Sequence, residues 1–362
     1  MGLKERIREF AKTIGIDAVG FAPAKPFLQE KEILLEKKAK GLITSLEEKD
    51  IELRCHPERL LPGARSIICF AMGYLVYPCG YEETELENED GGSEKKRFLG
   101  RISRYAMVKD YHRVMVEKLR AVAKFIAEKK HGQFKIFVDT GSLMDKSAAL
   151  RAGIGWMGEN TCLFTPEMGS WVFLGEILTD IEFEPDEPLP DLCDHCGKCM
   201  RACPTGALTA PYRMNPHRCL SYITQKRGSI PEEFRELLGS RIFGCDTCQE
   251  VCPKNKTVKV PHHPEFVPDV PLITDLMQLA VIDKTGFERI FRSTAAGWRG
   301  KNVLRRNAIC ALGNIWKEDA SYFRGIFEKE VAALLKGLAQ DPSEVIREQA
   351  RWTMEKIFQI IL

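Results

Sequence analysis

Eight of the chain's 13 cysteines fall between residues 193 and 252, and any fold must satisfy their spacing. Cys193, Cys196, Cys199 and Cys203-Pro204 form the run C-x2-C-x2-C-x3-C-P, which holds one [4Fe-4S] cluster while sending its fourth thiolate to another. Two clusters need eight thiolates. The second run supplies only Cys245, Cys248 and Cys252-Pro253, because Ile242 stands where its first cysteine belongs, and the lone Cys219 completes the count. Crossed ligation then assigns one cluster to Cys193, Cys196, Cys199 and Cys252, and the other to Cys203, Cys219, Cys245 and Cys248. Zinc would be complete with four ligands and gives no reason for this rhythm. Disulfides are disfavoured because nothing marks the chain as exported. The other five, Cys55, Cys69, Cys79, Cys162 and Cys310, read as ordinary packed or surface thiols.

A length of 362 residues suggests two or three domains. Hydrophobic residues at 44% and charged residues at 29% fit a soluble globular protein. The start, MGLKERIREFAKTIG, is a charged amphipathic helix without a signal-peptide core, and the apolar run around Ile67 to Val76 is too short to cross a bilayer. A cytoplasmic protein with no membrane partner is expected. Net charge is only +2, yet residues 284–317 carry eight basic side chains against the single acid Glu288. That concentration marks a binding surface for an anionic partner. Within it, Arg299, Lys301, Arg305 and Arg306 are the candidates for phosphate contacts; the alternative is a solvated basic face.

Residues 1–190 read as an α/β or α+β domain. Helices are expected to about Ile14, up to about Lys49, over Arg104 to Lys129 and from about Ser142, with strands at DAVGFAPA, Ser66 to Gly73, Lys135 to Asp139 and Trp171 to Leu178. Residues 79–97 are polar and acidic, a surface loop. The linker EFEPDEPLPD leads into a ferredoxin-like double-cluster domain over 191–262. Residues 263–362 are helical. Aligning Val303-Leu-Arg-Arg-Asn-Ala308 with Val345-Ile-Arg-Glu-Gln-Ala350 gives a 42-residue period, in the range of HEAT-like repeats, with an intervening helix over Phe323 to Gln340.

Paired clusters move electrons, and a reductase also needs a proton donor. Asp139 is the candidate: it ends a predicted strand, before Thr140-Gly141, where open α/β sheets place their ligands. The competing role is an N-cap for the following helix. Catalysis near neutrality would require burial to raise its carboxyl above the usual range. Asp145, His112 and His195 are weaker candidates, His195 lying between cluster ligands.

Val138-Asp-Thr-Gly141, Ala152-Gly-Ile-Gly-Trp156 with Asn160-Thr161, Gly169-Ser-Trp171 with Leu174-Gly-Glu176, the two cysteine runs and Arg218-Cys-Leu-Ser-Tyr222 together resemble the epoxyqueuosine reductases over nearly the whole chain. The resemblance implies an N-terminal cobalamin-binding domain, two [4Fe-4S] clusters passing electrons to cobalamin, and a tRNA-binding helical repeat. It also implies reduction of epoxyqueuosine in the tRNA anticodon loop to queuosine, with loss of the oxygen as water and consumption of two electrons and two protons. Asp139 matches the family's proton donor, and Ser221 and Asp246 match positions associated with the corrin. Ser142, Glu159 and Lys254 depart from residues usual in the family. The Asp-x-His-x-x-Gly signature of base-off cobalamin proteins is absent, since Asp110-Tyr-His112 is followed by Met115. A monomer fed by an external electron donor is expected. The rival readings are a cobalamin-dependent reductive dehalogenase and a non-catalytic iron-sulfur carrier.

Overall fold

In the computed structural model the described residues are 1–75, 98–267, 273–318 and 320–358. The acidic loop expected over 79–97, Cys79 included, lies outside them. The chain opens with helix α1 (Leu3–Thr13), strand β1 (Ala18–Pro23), helix α2 (Leu28–Ala39) and strand β2 (Ser66–Gly73). Strand β3 (Leu99–Ile102), helix α3 (Tyr111–Ala127), strand β4 (Phe134–Phe137), helix α4 (Asp145–Arg151) and strand β5 (Val172–Thr179) follow.

The central sheet runs β1-β2-β5-β4, with every pairing antiparallel. The first domain is therefore α+β. This removes one argument used for Asp139, because the rule for ligands at carboxyl ends of strands belongs to parallel sheets. Side chains alternate along each strand, so β2 feeds two cores. Ile68 and Phe70 join Ile7, Met115 and Leu119 beneath α1 and α3. Ile67 and Cys69 join Phe27, Leu34 and Ala148 beneath α2 and α4. Each such aliphatic or aromatic burial contributes about 1.5–3 kcal/mol. Gly175 on β5 lets α3 close on the sheet: a Cβ there would lie 2.9 Å from Leu119 and Met115.

The expected helix Arg104–Lys129 is two helices. A turn over Arg104–Met107 ends, and α3 starts afresh where the Asp110 carboxylate accepts from the His112 backbone N–H at 3.1 Å. Apolar periodicity runs through this break, and only the capping residue signals it.

Downstream come strand β6 (Arg241–Phe243), strand β7 (Ile273–Asp275) and helices α5 (Leu276–Ala280), α6 (Lys301–Glu318), α7 (Ala320–Leu338) and α8 (Glu344–Phe358). A second sheet, β6-β3-β7, takes one strand from each third of the chain. Its Ile102, Ile242 and Phe243 share one core with Leu304, Leu312, Ile346 and Met354. Of the positions aligned by the 42-residue period, Leu304, Ala308 and Leu312 on α6 and Ile346, Ala350, Met354 and Ile357 on α8 lie in this core, where Thr353 also donates to the Ile309 carbonyl at 2.9 Å. Among the described residues no helix is long and apolar enough to cross a membrane.

Candidate active site

The cysteine loops fold so that their thiols form two groups. Cys193, Cys196, Cys199 and Cys252 line one cavity together with Trp156 and Phe164, and the Cys252 thiol faces the other three. In the second group Cys219 faces Cys203 and Cys245, and Cys248 faces Cys245 and Cys219. These are the two sets that crossed ligation requires. Eight thiols in two fours are the donor chemistry of iron-sulfur clusters. The first group lies toward solvent, with Cys196 exposed, whereas Cys219 and Cys248 lie deeper.

Glu159 and Lys254, two of the departures from the family pattern, line the first cavity. There the Glu159 carboxylate lies 3.2 Å from His195 Nδ1, and Lys254 pairs with Asp194 at 2.6 Å. His195 therefore borders the first thiol group. Cys162, read from sequence as an ordinary thiol, is in hydrogen-bonding contact with Cys248. Its neighbour Asn160 donates to the Cys248 carbonyl at 3.1 Å.

The motif Gly169-Ser-Trp171 docks the second cysteine run on the first domain. The Asn255 carboxamide accepts from the Ser170 N–H at 2.8 Å, close against Gly169, whose φ of 57° and lack of Cβ make room for it.

Asp139 lies just beyond β4 with φ 51°, a left-handed backbone that aspartate tolerates better than most residues. It does not cap α4, which begins at Asp145 after Met144. Its carboxylate instead accepts from the Tyr111 hydroxyl at 2.7 Å and lies 3.4 Å from His112 Nε2. The other imidazole nitrogen, Nδ1, is held by Asp110 at 2.7 Å, so one aspartate both caps α3 and aims the ring. Tyr111 is fixed by stacking on Phe173 at 4.0 Å between centroids.

The His112 imidazole 3.4 Å away, with the Tyr111 hydroxyl, holds the largely exposed Asp139 carboxyl below its ordinary range. That corrects the expectation of a raised value. Burial alone would depress His112, but hydrogen bonds to Asp110 and Asp139 push it up to about 9. At neutral pH the proton of this group rests on the imidazole. Sequence reading ranked His112 as secondary and passed over Tyr111. The signal was available: an Asp-x-His at a helix start places cap and ring together.

Tyr105 hydrogen-bonds with Ser221 and lies within electrostatic reach of Asp246, Asp139 and the Cys219 thiol. Ser221 also accepts from Gln225. Asp246 is engaged inside the chain, by the Ser103 hydroxyl and by the Arg104 N–H at 2.8 Å. It clamps the segment before α3 to the second cysteine run.

The basic candidates divide. Arg305 is buried, donating to the Ala280 carbonyl at 2.8 Å and pairing with Asp341 at 2.6 Å. Arg306 is 1% exposed and spends its guanidinium on the carbonyls of Ile223, Thr224, Lys226 and Gly228. Both guanidinium groups are committed to partners within the chain, Arg306 from the wall of the cleft that Arg299 borders, so both are corrected to structural roles. The sequence window counted charge without showing which carbonyls needed donors. Arg299 and Lys301 border an open cleft of about 380 Å³ with Arg227. Burial first, then the Arg227 charge, lowers the Arg299 guanidinium's affinity for its proton. Arg299 stacks 3.7 Å from the ring centroid of Trp298, which is 56% exposed.

The family model "Epoxyqueuosine reductase QueG, DUF1730" matches residues 54–140, and "4Fe-4S double cluster binding domain" matches residues 192–255. A Bacillus cereus epoxyqueuosine reductase is 39% identical over 357 residues, covering 98% of this chain and 89% of its own. The chain belongs to the epoxyqueuosine reductase family. Two solved members bear on the site. One, crystallised with a tRNA-Tyr epoxyqueuosine-modified stem loop, shares 40% identity and a TM-score of 0.87, over 98% of this chain and 90% of that one. The other, from Bacillus subtilis, has its catalytic aspartate loop swung out of the active site; it shares 39% identity and a TM-score of 0.86, over the same shares of each chain. As a member of this family the chain is an oxidoreductase with a double [4Fe-4S] module.

Proposed function

We propose that this chain reduces epoxyqueuosine to queuosine in the anticodon loop of tRNA, with Asp139 delivering a proton to the departing epoxide oxygen. The observation that carries this reading is the Asp110–His112–Asp139 chain, in which the imidazole carries a proton at neutral pH, with Tyr105 within electrostatic reach of both Asp139 and Cys219 of the second thiol group. Conversion of an epoxide to an alkene breaks two C–O bonds and consumes two electrons and two protons. Cysteines held in two groups supply the electron route. Cys193, Cys196, Cys199 and Cys252, nearer solvent, hold the cluster that meets an external donor; Cys203, Cys219, Cys245 and Cys248 hold the one nearer Asp139.

Cobalamin would be held between that second group and Asp139. The residues gathered there, Tyr105, Ser221 and Ser103, offer hydroxyl groups suited to a macrocycle fringed with neutral amides, and Asp246 shapes their wall through Ser103 and Arg104. Bound there, cobalamin would supply two-electron nucleophilic chemistry at the epoxide carbon. The protein's own work is to place Asp139 opposite the substrate, fix its carboxylate with Tyr111, and lend it the His112 proton.

The basic cleft supports the substrate assignment. Arg227, Arg299 and Lys301 would take backbone phosphates, while Trp298 offers an aromatic face to an unpaired base. Tyr222, within electrostatic reach of Arg299, adjoins Ser221 in the chain. We read the paired C-terminal helices as a HEAT-like, tRNA-binding repeat in a cytoplasmic monomer. The deciding test is anaerobic turnover of cobalamin-reconstituted protein with epoxyqueuosine-containing tRNA, followed by mass measurement of the nucleosides. Conversion to queuosine supports the reading; a protein holding both clusters and cobalamin that leaves the epoxide intact overturns it.

A further inference from the structure

The outer thiol group has a charged neighbour that the electron route does not yet use. Glu159 sits in the tight turn between the two-residue strands Trp156–Met157 and Leu163–Phe164. That turn is pinned on both sides: the Tyr212 N–H donates to the Glu159 carbonyl at 3.1 Å, and the Asn160 side chain donates to the Cys248 carbonyl at 3.1 Å. The Glu159 side chain is 7% exposed and lines the cavity of Cys193, Cys196, Cys199 and Cys252. One of its carboxylate oxygens, a ring nitrogen of His195 and the Cys193 Sγ all lie within 4.8 Å of one another.

A carboxylate buried this close to a cluster ligand acts on it strongly, because little water stands between them to screen the charge. Trp156 and Phe164, 6% and 2% exposed, wall the same cavity with apolar surface and keep the local dielectric low. The cations nearby are spent or screened. Lys254 is paired with Asp194 at 2.6 Å, Lys198 is exposed, and the Arg201 guanidinium donates to the Cys196 carbonyl at 3.0 Å. His195 touches Glu159 directly, but its side chain is 56% exposed and is shared with Asp191 at 3.6 Å. Reducing a cluster adds an electron to it, so a fixed negative charge alongside opposes reduction and lowers the potential. The effect weakens with distance and falls mainly on the cluster that Cys193 holds.

We propose that Glu159 sets the reduction potential of the outer cluster, holding it below that of the inner one so that electrons run inward. This rests on the outer-to-inner route of the function proposed above. A one-electron carrier protein docking at the exposed face loses one electron as the outer cluster gains it. The same electron then passes to the inner cluster and leaves the outer one oxidised again, with no bond made or broken and no proton moved. Without the Glu159 charge the outer cluster would keep a larger share of that electron, and the side facing the epoxide would receive less. Glu159 acts through the cluster and takes no part in the proton chemistry at Asp139. Because it departs from the residue usual in the family, this setting belongs to this chain and not to its relatives in general.

Redox titration of the full-length holoenzyme, followed by low-temperature electron paramagnetic resonance, reads both clusters without substrate. In the wild type the outer cluster should have the lower midpoint. Glu159→Gln keeps the size of the side chain and can still accept from His195. It should favour reduction of the outer cluster about tenfold, an upward shift of about 59 mV for one electron, and leave the inner midpoint in place. Glu159→Lys should shift the outer midpoint further in the same direction, while Glu159→Asp, which keeps the charge, should stay closer to the wild type than Glu159→Gln does. An outer midpoint above the inner one in the wild type overturns the proposal, as does an unchanged outer midpoint in Glu159→Gln. So does an equal shift of both clusters, or a shift in Glu159→Asp as large as that in Glu159→Gln, since shape rather than charge would then be responsible. Loss of the outer signal in all three variants also overturns it, because Glu159 would then hold the cluster rather than tune it. If the midpoints follow the charge as expected but the wild-type protein converts no tRNA, the assigned reaction fails while the role of Glu159 stands.

Discussion

At the scale of single residues, the proton donor is a partnership. Asp139 alone would be an ordinary ionised carboxylate at neutral pH, and its contacts depress it further. Its usefulness comes from His112, pushed up to about 9 against the effect of burial. Asp139→Asn, which keeps the Tyr111 contact but cannot carry the proton, should lower epoxide reduction by about 100-fold or more while cluster and tRNA binding stay intact. Retained turnover would remove Asp139 from the chemistry. The pH sign follows from the raised value. The imidazole is charged below about 9, so single turnover should fall as pH rises through that region, and His112→Gln should abolish that alkaline limb. Linkage runs the same way: the His112 contribution to stability is full below the unfolded value of about 6.5 and fades as pH climbs toward the folded one. Thermal melts with and without His112→Gln across that range check it.

At the scale of elements, helix α6 shows how one charged stretch divides its labour. Arg305 and Arg306 point inward and bind carbonyls and Asp341, while Arg299 and Lys301, just before and at its start, border the open cleft. Arg306→Ala would leave buried carbonyls unpaired and should cost about 3–5 kcal/mol of stability, read by chemical denaturation. Charge reversal at Arg299 and Lys301 should leave stability unchanged, weaken tRNA binding across sequences and flatten its salt dependence. Unchanged binding would return the cleft to solvent. Much at this scale was legible beforehand. β2 is bounded as its apolar run predicts, and the 42-residue alignment marked the buried seam of α6 and α8. Misreadings arose where periodicity or charge counting is blind to partners. The break at Asp110 depends on a cap, the antiparallel sheet on pairings between distant strands, and the burial of Arg306 on carbonyls about 80 residues away.

At the scale of the whole molecule, one tie joins the three parts of the chain and a second joins the two halves of the cysteine module. Sheet β6-β3-β7 takes a strand from each of the three parts, and the cysteine runs exchange thiols across the module. The second tie was legible from spacing because ligand count is arithmetic; the first was not, since nothing local in Leu99–Ile102 names its partners. Crossed ligation has a consequence that sequential ligation lacks. Cys252 belongs to the second run but faces the thiols of the first. Cys252→Ser should therefore disturb the outer cluster, nearer solvent, while the inner one, on Cys203, Cys219, Cys245 and Cys248, retains its four thiolates. Cys219→Ser should do the reverse. Iron content and low-temperature electron paramagnetic resonance of the two variants separate the cases. If crossing holds, Cys252→Ser loses the signal of the cluster that exchanges electrons readily with a soluble donor and keeps the one coupled to the acid group. If ligation is sequential, Cys252→Ser instead removes the signal coupled to Asp139, and the electron route proposed here, from outer to inner, must be redrawn.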